Sequence, residues 1–396
     1  MPEDQSNSAP PSLERILGPG KLPSVGTTIF TVMSRLAAEL GAINLGQGFP
    51  DFDCDPALKR LVAEAVDGGH NQYPPMAGIQ LLRQRYAQKV HRLYGRAYDP
   101  ETEITVTAGA TQALLTANLA VVGPGDEVVV LEPAYDSYVP SILLAGGRPV
   151  FVPLDPARGY RPDWDRVRAA IGPRTRLLML NFPHNPTGAA LLDEDLRELE
   201  RIVSAHPILL LSDEVYEHIV FDGQPHRSVA RSETLSRRAM IVSSFGKTFH
   251  VTGWKVGTCC APAPLMTEFR KVHQFNVFTV NTPMQQALAE YLADPAPYED
   301  LPAFYQRKRD RFVAGLRATR FRPLPCASTY FVLADYSGIS SLDEAAFAQW
   351  LVREHGVAGI PVSVFYDKPL NRSLIRFCFA KAEQTLDRGL ERLQRV

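Results

Sequence analysis

Three charged side chains in this 396-residue sequence stand in apolar or tightly turned surroundings, where a charge is costly unless it has a task. Lys247 lies in Ser243-Ser244-Phe245-Gly246-Lys247-Thr248, directly after the apolar run Ala239-Met240-Ile241-Val242. A lysine amine is a nucleophile only when neutral, and desolvation or neighbouring charge can bring its pKa down far enough. The same amine can carry a proton. The plain alternative is a solvated lysine. Gly246-Lys247-Thr248 also matches the end of a G-x-x-x-x-G-K-[ST] phosphate loop, but Ile241 occupies the position of the required first glycine. Asp213 ends the apolar run of residues 207–212 and is followed by Tyr216. A carboxylate there sits where open α/β sheets bind ligands, although a helix N-cap and a core tyrosine would explain the pair equally well. Arg376 interrupts Leu374-Ile375-Arg376-Phe377-Cys378-Phe379, so it needs a partner: either an internal carboxylate or a bound anion.

Positioning these residues requires an α/β scaffold. Short β-branched runs at residues 104–107, 127–131, 149–153, 177–180, 208–211, 239–242 and 257–261 alternate with helical segments. That alternation predicts a mostly parallel sheet of seven strands flanked by helices. Residues 111–122 read as a helix ending at Gly123-Pro124-Gly125. Its start, Gly109-Ala110-Thr111-Gln112, follows a strand, and a helix N-terminus there offers unpaired N–H groups to an anion; a simple capped helix is the alternative. Beyond Asp294 the pattern changes. Pro295 and Pro297 precede a long helix over 302–317, and strands at 329–333 and 374–379 flank a helix at 342–354. The expected organisation is a flexible segment over residues 1–22, a large domain over 46–294, and a smaller α+β domain built from 23–45 and 295–396. The amphipathic stretch 28–40 would pack back onto that smaller domain.

The lysine segment resembles the cofactor motif of class I/II aminotransferases, S-x-x-K with a second cation eight positions past the lysine, here Ser244, Lys247 and Lys255. The resemblance implies fold type I, with pyridoxal 5′-phosphate held by Lys247 as a Schiff base and its phosphate bound by Ser244 and Lys255. By the same resemblance Gly109, Ala110 and Thr111 also contact the phosphate. Asn181-Phe182-Pro183-His184-Asn185-Pro186-Thr187-Gly188 is similar to the family's N-P-x-x-N-P-T-G turn, with Phe182 where the first proline belongs. It implies that Asn185 binds the cofactor's phenolic oxygen and lies beside the substrate. Asp213 would face the ring nitrogen and Tyr216 the phenolate. Within Glu132-Pro133-Ala134-Tyr135-Asp136-Ser137-Tyr138, Tyr135 would stack on the ring. Arg376 would grip the substrate α-carboxylate through two parallel hydrogen bonds, a geometry lysine cannot copy.

The resemblance extends from about Pro23 to the C-terminus and is nearest to bacterial methionine aminotransferases and the kynurenine aminotransferase/glutamine transaminase K group. Asn44-Leu45-Gly46-Gln47-Gly48-Phe49-Pro50 matches the subgroup's carboxylate loop, placing Gly48 at the substrate. Asn71-Gln72-Tyr73 matches its inter-subunit phosphate contact, so a homodimer with shared sites is implied. Phe30, Phe278 and Tyr366 would line the side-chain pocket, with Tyr73 and Phe278 reaching the neighbouring subunit's site. The family's ping-pong reaction moves an amino group from an amino acid to a 2-oxo acid. Such an aromatic pocket predicts methionine, with aromatic amino acids or glutamine, as donor. Thr279 stands where the kynurenine group carries histidine, which weighs against kynurenine itself. A kynurenine aminotransferase or a cysteine-S-conjugate β-lyase on the same scaffold is the alternative.

Composition agrees with these expectations. A net charge of −1 lacks the positive field that nucleic acid or an anionic membrane surface attracts, so the partners expected are small molecules and a second copy of the chain. Five scattered cysteines without a C-x-x-C pair give neither a disulfide framework nor a zinc ligand set, and a reducing cytoplasm fits them. No metal is expected. His184 and His250 lie near the lysine turn by sequence, where neutral packing is the expected role.

Overall fold

The computed structural model describes residues 12–368 and 370–396; most of the segment 1–22 expected to be flexible, residues 1–11, falls outside the described residues. Within the remainder of that segment Leu13–Leu17 forms a short exposed helix.

Among the described residues thirteen strands form three sheets. In chain order they are β1 (Ile43–Asn44), β2 (Ile104–Thr107), β3 (Glu127–Glu132), β4 (Arg148–Pro153), β5 (Thr175–Asn181), β6 (Leu209–Asp213), β7 (Ala239–Ser244), β8 (Gly257–Cys260), β9 (Arg322–Pro323), β10 (Phe331–Asp335), β11 (Val357–Ala358), β12 (Ile360–Pro361) and β13 (Leu374–Cys378). The large sheet has the order β2-β8-β7-β6-β5-β3-β4. All its pairs are parallel except those of β8, which runs antiparallel to β2 and β7. Its central strands carry runs such as Val128-Val129-Val130 and Leu177-Leu178-Met179-Leu180, buried on both faces as a sheet covered by helices on each side requires. The C-terminal ends of β2, β3, β5, β6 and β7 therefore share one edge, and the antiparallel β8 starts there. Every turn in which a reactive residue was expected opens onto that edge.

The second sheet, β12-β13-β10-β9, is antiparallel and holds Arg376 on an inner strand, between Leu333 and Ile360. β1 pairs in parallel with β11, tying the N-terminal segment to the C-terminal part of the chain. Helix Ile29–Glu39, capped by the Thr28 hydroxyl, packs on β11, β12 and helix Glu344–His355 with Met33 and Ala37 buried. One expected strand is displaced. Residues 329–333 were expected to be extended, yet β10 begins only at Phe331, because Thr329 takes a left-handed backbone with φ +60° that no ladder accommodates. Pro297, expected to break the helical pattern, is accepted in the first turn of the short helix Ala296–Glu299, where its missing N–H has no intrahelical partner to lose.

Behind the site edge lies a buried ion network. Lys89, on helix Gln80–Tyr94, donates to Glu217 at 2.8 Å, Tyr94 donates to the other carboxylate oxygen at 2.6 Å, and the Ser243 hydroxyl also donates to Glu217. Burial alone would raise the Glu217 carboxyl, but Lys89 and these hydrogen bonds hold it well below the ordinary carboxylate range. Glu217 adjoins Tyr216, and Ser243 adjoins Ser244, so the network clamps the ends of β6 and β7 to one helix. Lys89→Ala leaves the Glu217 charge without its counterion and is expected to lower unfolding stability by about 3–5 kcal/mol. Urea denaturation measures this, and a loss below about 1 kcal/mol, the range of an exposed pair, would refute it.

Candidate active site

The edge encloses a cavity of about 430 Å³ that reaches from the helix Gly109–Val121 to Arg376. Asp213 forms its floor. Tyr138 donates to Oδ2 at 2.7 Å and the Val215 N–H to Oδ1 at 3.2 Å. Burial raises this carboxyl to about 6, and the two hydrogen bonds and Lys247 keep it from going higher, so it is ionised at neutral pH and can accept from a cationic ring N–H. Asn181, at the end of β5, donates to the Asp213 carbonyl at 3.3 Å and accepts from the Asn185 N–H at 3.1 Å. Adjacent strand ends thus share one hydrogen-bonded layer.

Lys247 sits on the single helical turn Phe245–Thr248 after β7, capped by the Ser244 hydroxyl. Its Nζ donates to the Gly48 carbonyl and to the Tyr330 hydroxyl, both at 2.9 Å. Burial pulls its pKa down to about 8; Arg376 and Lys255 add to this, while Cys378 and Asp213 oppose it. A substantial neutral fraction is therefore present in mildly basic solution, as an imine-forming amine requires.

At one end of the cavity Ala110 and Thr111 open the helix Gly109–Val121, beside Ser244 and Lys255. This corner combines unpaired N–H groups, a hydroxyl and a cation, the chemistry of a phosphate site. Two glycines make it possible. A Cβ on Gly109, whose φ is +76°, would lie 3.2 Å from Lys255 Nζ, and one on Gly257 would lie 2.6 Å from the Ser243 carbonyl. At the other end Arg376 donates from Nη1 to Asn185 Oδ1 at 2.7 Å and from Nη2 to the Gly46 carbonyl at 3.0 Å. Its guanidinium lies 3.9 Å above the Phe331 ring, and its buried Nε has no hydrogen-bond partner. No carboxylate pairs with it among the described residues, so the internal ion pair weighed from sequence is not formed.

Most of the expected site residues meet in this cavity: Phe30, Gly48, Ala110, Thr111, Tyr135, Asn185, Asp213, Tyr216, Ser244, Lys247, Lys255 and Arg376 all line it. Gly109 stands directly behind Lys255. Tyr366 is a correction. It is buried away from the cavity with its hydroxyl unpaired and Arg372 over its ring, because the preceding turn, Val362–Phe365, presents Phe365 instead to Phe30 and Arg376. Tyr73 and Phe278 lie outside this chain's cavity, edge to face at 5.4 Å on the surface, with Tyr73 81% exposed. Tyr138, Asn181, Tyr330 and Phe331 were not expected from the sequence. Tyr138 stands three residues after Tyr135 and Asn181 opens the Asn-Pro turn, but only the fold shows what they hold. His184, stacked on Phe182 and hydrogen-bonded to Thr187 at 2.6 Å, is brought down to about 3 by burial, and His250 to about 4. Both are neutral packing residues.

The sequence profile of "Aminotransferase class I and II" matches residues 41–393. The chain belongs to this family. It is 52% identical to methionine aminotransferase of Escherichia coli over 95% of its own length and 97% of that protein's. The crystal structure of that E. coli protein superposes with a TM-score of 0.92, covering 95% of this chain and 99% of the other. A probable N-succinyldiaminopimelate aminotransferase of Mycobacterium tuberculosis is 41% identical over 94% of this chain and 97% of the relative. Human kynurenine–oxoglutarate transaminase 1 is 35% identical over 91% and 94%. This aminotransferase is thus a pyridoxal-phosphate enzyme of fold type I. The cavity suits that cofactor: an ionised carboxylate on its floor, an anion corner at a helix start, and an amine of lowered pKa between them.

Asp213 has a measurable consequence for stability. Its folded pKa, about 6, is raised above the unfolded value, so the folded state prefers the protonated acid and loses stability as pH rises from about 4 through 6. Asp213→Asn, measured on protein freed of cofactor, should gain stability relative to the parent over that interval and keep a gain on the order of 1–3 kcal/mol above pH 6. A difference between the two proteins that does not change between pH 4 and 7 would refute the buried, raised carboxyl.

Proposed function

We propose that this aminotransferase takes the amino group of methionine, and also of aromatic amino acids or glutamine, and delivers it to a 2-oxo acid in two half-reactions, with Lys247 as cofactor lysine and proton carrier. The observation that carries the donor preference is the charge inventory of the cavity. The cations lining it among the described residues are Lys247, Lys255 and Arg376, each already committed, while Phe30, Leu114 and Phe331 add apolar wall and Asp136 a carboxylate. This chain therefore offers no spare cation for an acidic side chain. The 52% identity to a methionine aminotransferase supports the same preference.

Pyridoxal phosphate, when bound, supplies a conjugated ring that takes up the electron pair left as the Cα–H bond breaks. The chain's own residues do the rest. Ser244, Lys255, Gly109, Ala110 and Thr111 would hold the phosphate, Tyr135 would pack on the ring face, Asn185 and Tyr216 would serve its phenolic oxygen, and Asp213 would keep its nitrogen protonated. Arg376, on the cavity wall with Gly48, would fix the substrate carboxylate. The neutral Lys247 amine would carry a proton between the substrate Cα and the cofactor carbon.

The division into a large domain over residues 46–294 and a small one from 23–45 and 295–396 belongs to the same reading; the large sheet lying within 104–260 and the β1–β11 pairing support it. So does a homodimer. The exposed pair Tyr73 and Phe278 would complete the neighbouring copy's cofactor and substrate sites, and Phe275, 85% exposed, extends the same apolar face. Five free, buried cysteines suit a reducing cytoplasm, and no helix among the described residues is long and apolar enough to cross a membrane.

A panel of amino acids against several 2-oxo acids tests the substrate reading, with Lys247→Ala as control. Methionine is expected to be preferred over aspartate, and the variant to lose the cofactor's visible band and at least about 10²–10⁴-fold in turnover. Faster turnover of aspartate would overturn the donor assignment, and pyruvate release from a β-substituted cysteine without any amino transfer would favour a β-lyase. Sedimentation should give a dimer; a fully active monomer would exclude a shared site.

A further inference from the structure

The contacts of Lys247 point to a residue that the aminotransferase reading leaves without a role. Lys247 Nζ donates to the Gly48 carbonyl and to Tyr330 Oη, each at 2.9 Å, and Tyr330 Oη itself donates to the Gly48 carbonyl at 2.6 Å. The three groups close a triangle in which every role is settled: a phenol has one hydrogen to give and lone pairs to accept with, a carbonyl only accepts, and an ammonium only donates. Tyr330 is fully buried, with Tyr216 edge-on to its ring at 5.2 Å and Tyr305 at 5.6 Å, so its ring is held in place.

The backbone is arranged to aim this phenol. Thr329 is β-branched yet sits at φ +60°, a strained conformation that persists only where the surroundings enforce it. Here they do. The Thr329 N–H donates to the Ile219 carbonyl at 2.8 Å, its hydroxyl accepts from the Phe331 N–H at 3.2 Å, and the Tyr330 carbonyl accepts from the Phe379 N–H at 2.9 Å. Gly48 is similarly constrained, since a Cβ there would lie 2.8 Å from the Phe331 ring.

We propose that Tyr330 is a positioning residue for Lys247: its hydroxyl and the Gly48 carbonyl form the seat that takes the lysine amine whenever that amine is not bonded to the cofactor. The inference rests on the reading of Lys247 as the cofactor lysine. A released amine on a flexible four-carbon stem would otherwise wander, and in its charged form a buried ammonium without acceptors is strongly disfavoured. The groups facing it are Arg376 and Lys255, which drive it towards neutrality, Asp213, the Cys378 thiol, and the phenols of Tyr216 and Tyr330. Among these Tyr330 is the neutral acceptor in hydrogen-bond contact.

The test is Tyr330→Phe in the full-length protein. In protein freed of pyridoxal phosphate, the rate at which Lys247 is acylated is followed against pH by peptide mass spectrometry. Removing one of two acceptors for the ammonium should move the midpoint down by about one pH unit. In the cofactor-loaded enzyme kcat should fall roughly 10- to 100-fold through misplacement of the amine, with KM for methionine changed less than about twofold. Where Tyr330→Phe does not fold, Tyr330→Met, which fills the buried space with a flexible side chain but lacks the hydroxyl, is measured the same way and should shift the midpoint in the same direction. A midpoint unmoved in every folded variant, while Lys247→Ala loses the visible band, overturns the seat and leaves the lysine's role standing. A band that survives in Lys247→Ala overturns both.

Discussion

Burying several charges in one cavity is the constraint on which the rest of this molecule depends. Lys247, Arg376 and Asp213 converge on a space of about 430 Å³, each carrying a charge that water would otherwise stabilise by several kcal/mol, and the more exposed Lys255 lines the same space. Desolvation is what brings the Lys247 amine down to about 8 and raises the Asp213 carboxyl to about 6, while the attraction between the two opposes both shifts. The parallel sheet answers the constraint geometrically. It brings five strand ends to one edge, so backbone N–H groups, a helix start and short turns all face the same place and substitute for solvent.

A second layer keeps this arrangement rigid. Tyr138 fixes the Asp213 carboxylate, Asn181 ties β5 to β6 and to Asn185, and the Lys89–Glu217–Ser243 network holds the ends of β6 and β7 to a helix on the far side. None of these residues except Tyr138 and Asn181 reaches the cavity. Their effect is positional: a first-layer side chain holds its orientation only if its own neighbours leave it no alternative. That is why the polar residues behind the site are as thoroughly buried and paired as those in it.

The scaffold was largely legible in the sequence because its signals are local. Continuous apolar runs gave the seven strands within one to two residues of their ends, and the turn residues after them located the reactive side chains. What was not legible depended on contacts distant in sequence. Nothing local to Tyr138 marks it as a partner of Asp213, 75 residues away, and Tyr330 meets Lys247 across 83. Tyr366 was misplaced for a related reason. A motif names a segment, not the direction of its side chains, and the single 3₁₀ turn Val362–Phe365 brings Phe365 rather than Tyr366 over to Arg376. The left-handed Thr329 is of the same kind: its β-branched side chain reads as strand, and its conformation is imposed by Ile219 and Phe331.

One loop links the two ends of the cavity. The Gly46 carbonyl accepts from Arg376, and two residues later the Gly48 carbonyl accepts from Lys247 and Tyr330. A substrate carboxylate that engages Arg376 competes with the Gly46 carbonyl and with Asn185 for the same N–H groups, since the guanidinium has a fixed set of donors. The segment Gly46-Gln47-Gly48 is anchored at Asn44, whose side chain accepts from the N–H groups of Gly46 and Gln47 at 3.0 and 3.1 Å, and Asn44 belongs to β1, paired with β11. The two ends of the cavity are thus joined by three residues of backbone, Gly46 to Gly48, whose two glycines let it pass close against Ile360 and Phe331.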